Sequence, residues 1–228
     1  MTFVASWSGG KDSCFACFKA IQEGFEISNL LTMMATEGRS DFHLIRADLL
    51  DAQAAALGIP LTKQETTPDS YEQEFKNALR QLKIAGVQGV VTGDIYDVPL
   101  HEKGWLDRVC GEIGLRTIRP LWNRNTEQIF REFVTSGFDA IVTRVNTKML
   151  SPEWLGRQLN EKFLEDIKRI GNVDPCGENG EYHTFVIDGP LFTKRIEILE
   201  SRKDILDGSG CLEIERFAVN EKRKKNSK

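Results

Sequence analysis

Two stretches of the chain carry side chains whose types and spacing could do chemistry. The first is Ser8-Gly9-Gly10-Lys11-Asp12-Ser13, set between the apolar run Phe3-Val4-Ala5 and an amphipathic run that starts near Asp12. That context predicts a strand-to-helix turn. Two adjacent glycines allow a tight turn and a close backbone approach to a ligand. The helix that follows leaves N–H groups unpaired at the positive end of its dipole, which makes the turn an anion cradle, phosphate being the usual anion. Ser8 and Ser13 add hydroxyls, Lys11 a cation, and Asp12 a carboxylate that could hold a metal ion or cap the helix. The turn is not a Walker loop, because Asp12 follows Gly10-Lys11 and Ala5 stands where that motif begins with Gly. Nor is it a dinucleotide fingerprint, whose glycines are spaced rather than adjacent.

The second stretch is Pro175-Cys176-Gly177-Glu178-Asn179-Gly180-Glu181-Tyr182-His183-Thr184-Phe185. Glu178 and Glu181 beside His183 suit metal binding, recognition of a cationic substrate, or handling of an amine proton. The plain alternative is a polar turn before a hairpin. Cys176 is a nucleophile only if something activates it, and His183 is the candidate nearby. Cys14 and Cys17 share a helix face. With no second pair to complete a metal set, they are expected to pack as small hydrophobes. Gly93-Asp94, just past an apolar run, is placed either for a metal–phosphate site or for a simple turn. Arg157 could clamp an anion or form a surface ion pair.

The elements that must position these residues follow in order. Helices are predicted over 12–24, from Phe42-His43-Leu44 to Gly58, over 70–85 and over 101–113. Strands are predicted at 3–5, Ile27–Met34, from Ile59, Val87–Thr92 and Leu115–Ile118. The alternation implies an α/β fold: a parallel sheet of about five strands with helices on both faces. Ligands of such sheets bind at the carboxyl ends of the strands, so adenine is expected near Met33 and Met34. His43 is either a ligand contact or an exposed cap. Arg119-Pro120-Leu121-Trp122 breaks the rhythm, giving expected domains at 1–124 and 125–220, the second a smaller α+β unit. Residues 221–228 form a basic tail expected to be disordered.

The 228 residues carry a net charge of −4, which does not favour a general nucleic-acid coat. No apolar run approaches the ~20 residues of a membrane helix. The opening strand without a basic, apolar leader and the five scattered cysteines lead us to expect a cytoplasmic protein.

Ser-Gly-Gly-Lys-Asp-Ser resembles the pyrophosphate loop of N-type ATP pyrophosphatases. With Gly177-Glu178-x-Gly180-Glu181-Tyr182, Thr184-Phe185-Val186, Asp188-Gly189-Pro190-Leu191-Phe192, Pro120-Leu121-Trp122 and Trp154-Leu155-Gly156-Arg157, the chain is similar to the diphthine–ammonia ligase family. The resemblance implies a nucleotide-hydrolase-like (Rossmann-like) domain and a smaller domain closing over the substrate. It also implies a reaction in which ATP, with Mg²⁺, adenylates the carboxylate of diphthine on elongation factor 2 and ammonia displaces AMP. Ser8, Gly9, Gly10, Lys11, Asp12 and Ser13 inherit pyrophosphate binding, with Asp12 as a Mg²⁺ contact; Asp94 is a metal candidate by its own place after a strand, not by the resemblance. His43 falls at a family histidine, and Glu178 and Glu181 take the substrate side; His183 stays a catalytic candidate from its own chemistry beside them. The segment from Gly93-Asp94 departs from the family pattern, which usually reads Gly-Ala-Ile followed by Tyr-Gln and Arg; here Asp94, His101 and Trp105 stand instead. Three readings stay open: an amide-forming ligase, a sulfur-transfer or RNA-modifying enzyme that needs Cys14, Cys17 or Cys176, and a nucleotide sensor. A homodimer is an open expectation.

Overall fold

A computed structural model describes residues 1–35, 38–40, 44–97, 101–206 and 208–222. The expectations placed on His43 and on most of the basic tail lie outside these residues. The first half runs β1 (Thr2–Ser6), α1 (Lys11–Gln22), β2 (Glu26–Ala35), β3 (Arg39–Ser40), α2 (Ala47–Leu57), β4 (Leu61–Glu65), α3 (Tyr71–Ile84), β5 (Gly89–Val91), α4 (Trp105–Ile113) and β6 (Arg116–Ile118). Its sheet has the order β3-β2-β1-β5-β6, with β4 also on β2. Every pairing is parallel except the antiparallel β2–β3 contact. The strand–helix alternation therefore builds the expected α/β sheet. β3, only two residues long, is the addition that periodicity could not reveal.

Alternation along the strands sorts side chains to the two faces. Phe3, Ala5, Leu30 and Met34 pack with residues of α1 and α2. Val4, Leu31, Met33 and Val90 pack with α3 and α4. Gly58 and Gly114 close α2 and α4 in the left-handed conformation that glycine adopts without strain.

The second half runs α5 (Thr126–Thr135), β7 (Asp139–Asn146), α6 (Glu161–Ile170), β8 (Tyr182–Asp188), β9 (Lys194–Leu206) and β10 (Ser209–Glu221). Its antiparallel sheet has the order β8-β7-β10-β9. The two halves share one apolar core. The Phe15 ring of α1 lies edge-on to Phe133 at 5.9 Å and to Phe138 at 6.1 Å. Backbone bonds reinforce the join: Thr193 N donates to the Ala56 carbonyl at 2.7 Å, and Val186 N to that of Gly9 at 3.0 Å. Packing thus fixes β8 against the glycine turn.

Candidate active site

The glycine turn sits between β1 and α1, where the sequence places it. Gly9 has φ of +79°, and a Cβ there would lie 2.7 Å from Gln53 Oε1 and 2.9 Å from Leu50. Gly10 is the N-cap of α1 and has no side chain to cap the first turn. Ser8 and Ser13 share a hydroxyl–hydroxyl bond of 3.1 Å beneath it. The turn is held from three sides. Gln53 Nε2 donates to the carbonyls of Gly9 (2.9 Å) and Val186 (2.7 Å), and Lys11 N donates to Thr184 Oγ1 at 3.0 Å. On the third side Gly93 follows β5, so close that a Cβ would meet the Asp12 carbonyl carbon at 2.5 Å. Gly93 is therefore a glycine of close approach.

In front of the turn opens a cavity of about 800 Å³. Ser8, Lys11, Asp12, Ser13, Met33, Gly93, Asp94, Glu178 and His183 all line it. Gly9 and Gly10 shape the turn behind these side chains. A far wall of Tyr71, Phe75, His101 and Trp105 closes it, with His101 stacked on Trp105 at 4.1 Å.

Charge is concentrated at the cavity floor. Lys11 is 4% exposed; its Nζ donates to Asp12 Oδ2 at 2.8 Å and to the Cys176 carbonyl. Burial works against its charge, yet Asp12 and the other acidic groups around it prevail and raise its pKa well above the ordinary value. Burial raises the Asp12 and Asp94 carboxyls, opposed by Lys11 at the first and by the Thr92 hydrogen bond at the second. Glu178 is pushed up to about 8, by burial first and then by Asp12. His183 is pushed down to about 4, by burial and then by Arg144 and Lys11, so its imidazole is neutral near pH 7.

Two expected site residues are placed elsewhere. Met34 turns to the α1–α2 face and is core, because neighbouring strand residues point to opposite faces. Glu181 is fully buried and braces its own loop, accepting from Asp174 N and Asn179 N, both at 2.8 Å, and from Asn179 Nδ2 at 3.1 Å. Asp174 completes the brace by accepting from Cys176 N at 2.7 Å and Thr126 Oγ1 at 2.7 Å. These bonds hold Glu178 over the cavity. Arg157 pairs with Asp166 at 2.5 Å and stacks on Trp154, which is the surface ion pair rather than the clamp.

Four of the five cysteines are buried thiols, and Cys211 is half-buried. Cys14 and Cys17 lie in the core, and burial raises both, Cys17 to about 12. Cys176 Sγ donates to the Thr126 carbonyl at 3.2 Å, and burial holds its pKa well above the usual thiol value. None is a ready thiolate.

Gln53 and Arg119 escaped notice in the sequence. Gln53 did leave a signal: a polar residue on the apolar stripe of Leu49, Leu50, Ala54 and Leu57. Among the described residues, no cluster of three or more His, Cys, Asp or Glu is placed to hold a metal. No helix there is long and apolar enough to cross a membrane.

Comparison with known proteins places this chain in a family. The chain is 28% identical to the mouse diphthine–ammonia ligase over an alignment 253 positions long, covering 97% of this chain and 94% of that protein. It is 29% identical to the human diphthine–ammonia ligase, covering 90% and 85%. A solved 4-thiouridine synthetase–RNA complex with bound ATP is 17% identical, covering 82% of this chain and 55% of that one, at a TM-score of 0.42. The family model of the diphthamide synthase N-terminal domain matches residues 1–117, and that of the C-terminal domain residues 125–219. The chain belongs to the diphthamide synthase family.

Proposed function

We propose that this chain is an AMP-forming ligase that converts a carboxylate into an amide with ATP and ammonia, its acceptor being diphthine on elongation factor 2. One observation carries the reading: the glycine turn, with the paired Lys11 and Asp12 beside it, shares one cavity with Asp94 and Glu178. An anion cradle and a set of acids in one chamber suit a reaction that holds a polyphosphate while an amine attacks. In the overall reaction, an acceptor carboxylate oxygen displaces pyrophosphate from the α-phosphorus, and ammonia then displaces AMP.

Each residue has a part in this reading. The uncapped first turn of α1, with Ser8, Ser13 and Lys11, holds the phosphates and stabilises charge on the departing pyrophosphate. Met33 packs against adenine. Glu178, with a pKa near 8, exchanges a proton with the incoming amine. His183 stays neutral, as a hydrogen-bonding group rather than a second cation.

The residues also fit Mg²⁺. Asp12 Oδ1 is buried with no hydrogen-bond partner among the described residues, and Asp94 lines the same cavity. Mg²⁺ is commonly held by one or two carboxylates together with phosphate oxygens and waters. When bound it would supply positive charge against the pyrophosphate. The five free cysteines support a cytoplasmic setting for this chemistry, and the buried thiols argue against sulfur transfer.

The test is to incubate the protein with α-labelled ATP, Mg²⁺ and ammonium, with and without elongation factor 2 carrying diphthine. Labelled AMP that appears only with the factor supports the reading. AMP that appears only with RNA, or ATP that stays intact throughout, overturns it.

A further inference from the structure

Arg119 directly follows β6, in the stretch that reads in the sequence as a linker between domains. In the fold it is part of the cavity wall, together with Trp122. Its side chain is 12% exposed, and its ion pair is with Asp107 at 3.2 Å, a carboxylate that is itself half exposed. The Nε is buried with no hydrogen-bond partner among the described residues. Native structures seldom leave a buried guanidinium N–H without an acceptor, and those that do invite an explanation.

The surroundings are built to keep the group in place. The guanidinium lies 4.3 Å from the centre of the Trp122 ring. Asn123 takes a φ of +54°, a conformation that non-glycine residues rarely adopt. Asn123 N donates to the Ile95 carbonyl at 2.9 Å, and Trp122 N to that of Arg119 at 3.2 Å, so the turn is tied to the segment after Asp94. Strained backbone of this kind persists where the surroundings over-determine it, commonly at ligand sites.

The strand order says which ligand portion comes here. Along the carboxyl edge of the sheet stand Met33 on β2, the glycine turn after β1, Asp94 after β5 and Arg119 after β6. Arg119 is thus two strand spacings, about 10 Å, from the strand that carries the phosphate cradle, on the side away from Met33. A nucleotide laid from Met33 to the turn leaves this end of the cavity for the acceptor.

We propose that Arg119 is the binding site for the acceptor's carboxylate, holding one oxygen on its guanidinium and leaving the other to attack the α-phosphorus. This rests on the ligase reading above for the identity of the acceptor. A guanidinium, always charged, makes a charge-assisted hydrogen bond to a carboxylate oxygen and discriminates against the product amide, which carries no charge. Arg119 therefore separates substrate from product by charge.

The test compares the wild type with Arg119→Gln, Arg119→Lys and, as a control for the ion pair alone, Asp107→Asn. Calorimetry gives the affinity for a non-hydrolysable ATP analogue, then, with the analogue bound, for elongation factor 2 in its diphthine and diphthamide forms. We expect Arg119→Gln to weaken the diphthine form tenfold or more, and the diphthamide form and the nucleotide less than twofold. Arg119→Lys should fall between, and Asp107→Asn should match the wild type. Equal loss for both forms of the factor, or loss confined to the nucleotide, overturns the proposal. If the wild type binds neither form, the acceptor reading is wrong and Arg119 is judged alone, by titrating butyrate against the nucleotide-loaded wild type and Arg119→Gln. Tighter binding to the wild type supports the carboxylate site; equal binding overturns it. Thermal unfolding of each variant identifies any that fail to fold, and Arg119→Lys keeps the test open in that case.

Discussion

Gln53 Nε2 donates to the Gly9 carbonyl at 2.9 Å from a helix 44 residues further along the chain. The same amide group donates to the Val186 carbonyl at 2.7 Å and accepts from Trp7 Nε1 at 3.0 Å. One buried side chain therefore joins Trp7 just after β1, the glycine turn, α2 and β8. The phosphate cradle is shaped as much by this amide as by its own glycines.

Replacing Gln53 with Leu keeps the volume and removes every one of these bonds. Left-over buried carbonyls and an indole N–H without a partner should destabilise the protein by about 2 kcal/mol. The nucleotide affinity should fall roughly tenfold as the turn loosens, the equivalent of about 1.4 kcal/mol. Denaturant unfolding and calorimetry check the two effects separately.

Lys11→Ala should lower turnover by roughly a hundredfold or more, as expected for loss of a donor aimed at developing charge. The sequence suggests little loss of fold, but Lys11 is buried and binds both Asp12 and the Cys176 carbonyl. Its removal leaves a carboxylate and a carbonyl without their partner, so a stability loss of about 2 kcal/mol should accompany the kinetic defect. Single-turnover AMP release and a melting curve separate the two.

Glu178 gives the protein a pH signature. Its folded pKa of about 8 lies above the ordinary 4.5, so the folded state binds more protons than the unfolded state between these values. Stability contributed by this group is present below about 4.5 and is lost as pH rises towards about 8. Glu178→Gln should abolish that downward slope, leaving a variant that matches or exceeds the wild type in melting temperature at pH 8. Melting curves across this range check it; parallel curves for the two proteins would count against the buried, protonated carboxyl.

Cys14→Ala and Cys176→Ala should both retain AMP-forming turnover within about threefold, because neither thiol is held as a nucleophile. Iodoacetamide should label neither cysteine in the native protein. Loss of turnover without loss of fold in either variant would revive the sulfur-transfer reading.

Gly93→Ala tests a contact of backbone on backbone. The added methyl would meet Asp12 and Ser13 main-chain atoms at 2.5–2.7 Å, where no flexible side chain can yield. A destabilisation of about 3 kcal/mol is expected, with loss of nucleotide binding. A variant with wild-type stability would show that β5 and α1 are not locked together as described.

Much of this was legible in the sequence because it is local. Adjacent glycines before an amphipathic run fix a turn, and strand–helix alternation fixes a parallel sheet. What was illegible depends on direction and partnership. Met33 and Met34 are equally apolar, and only the phase of β2 decides that Met33 lines the cavity while Met34 is core. Glu178 and Glu181 look like a functional pair, yet one faces the cavity and the other caps N–H groups of its own loop. Arg119 and Trp122 read as a break between domains because the turn that tucks them against the Ile95 carbonyl is long-range.

On the ligase proposal, the cavity joins ammonia to an acceptor carboxylate at the expense of ATP. Supplying heavy-nitrogen ammonium with ATP and Mg²⁺, and reading the isotope in elongation factor 2 by mass spectrometry, tests it most directly. One heavy nitrogen per factor, at the diphthine residue and only with ATP and an intact Lys11, is the expected result. A factor that stays unlabelled while the chain consumes ATP in its presence would contradict it.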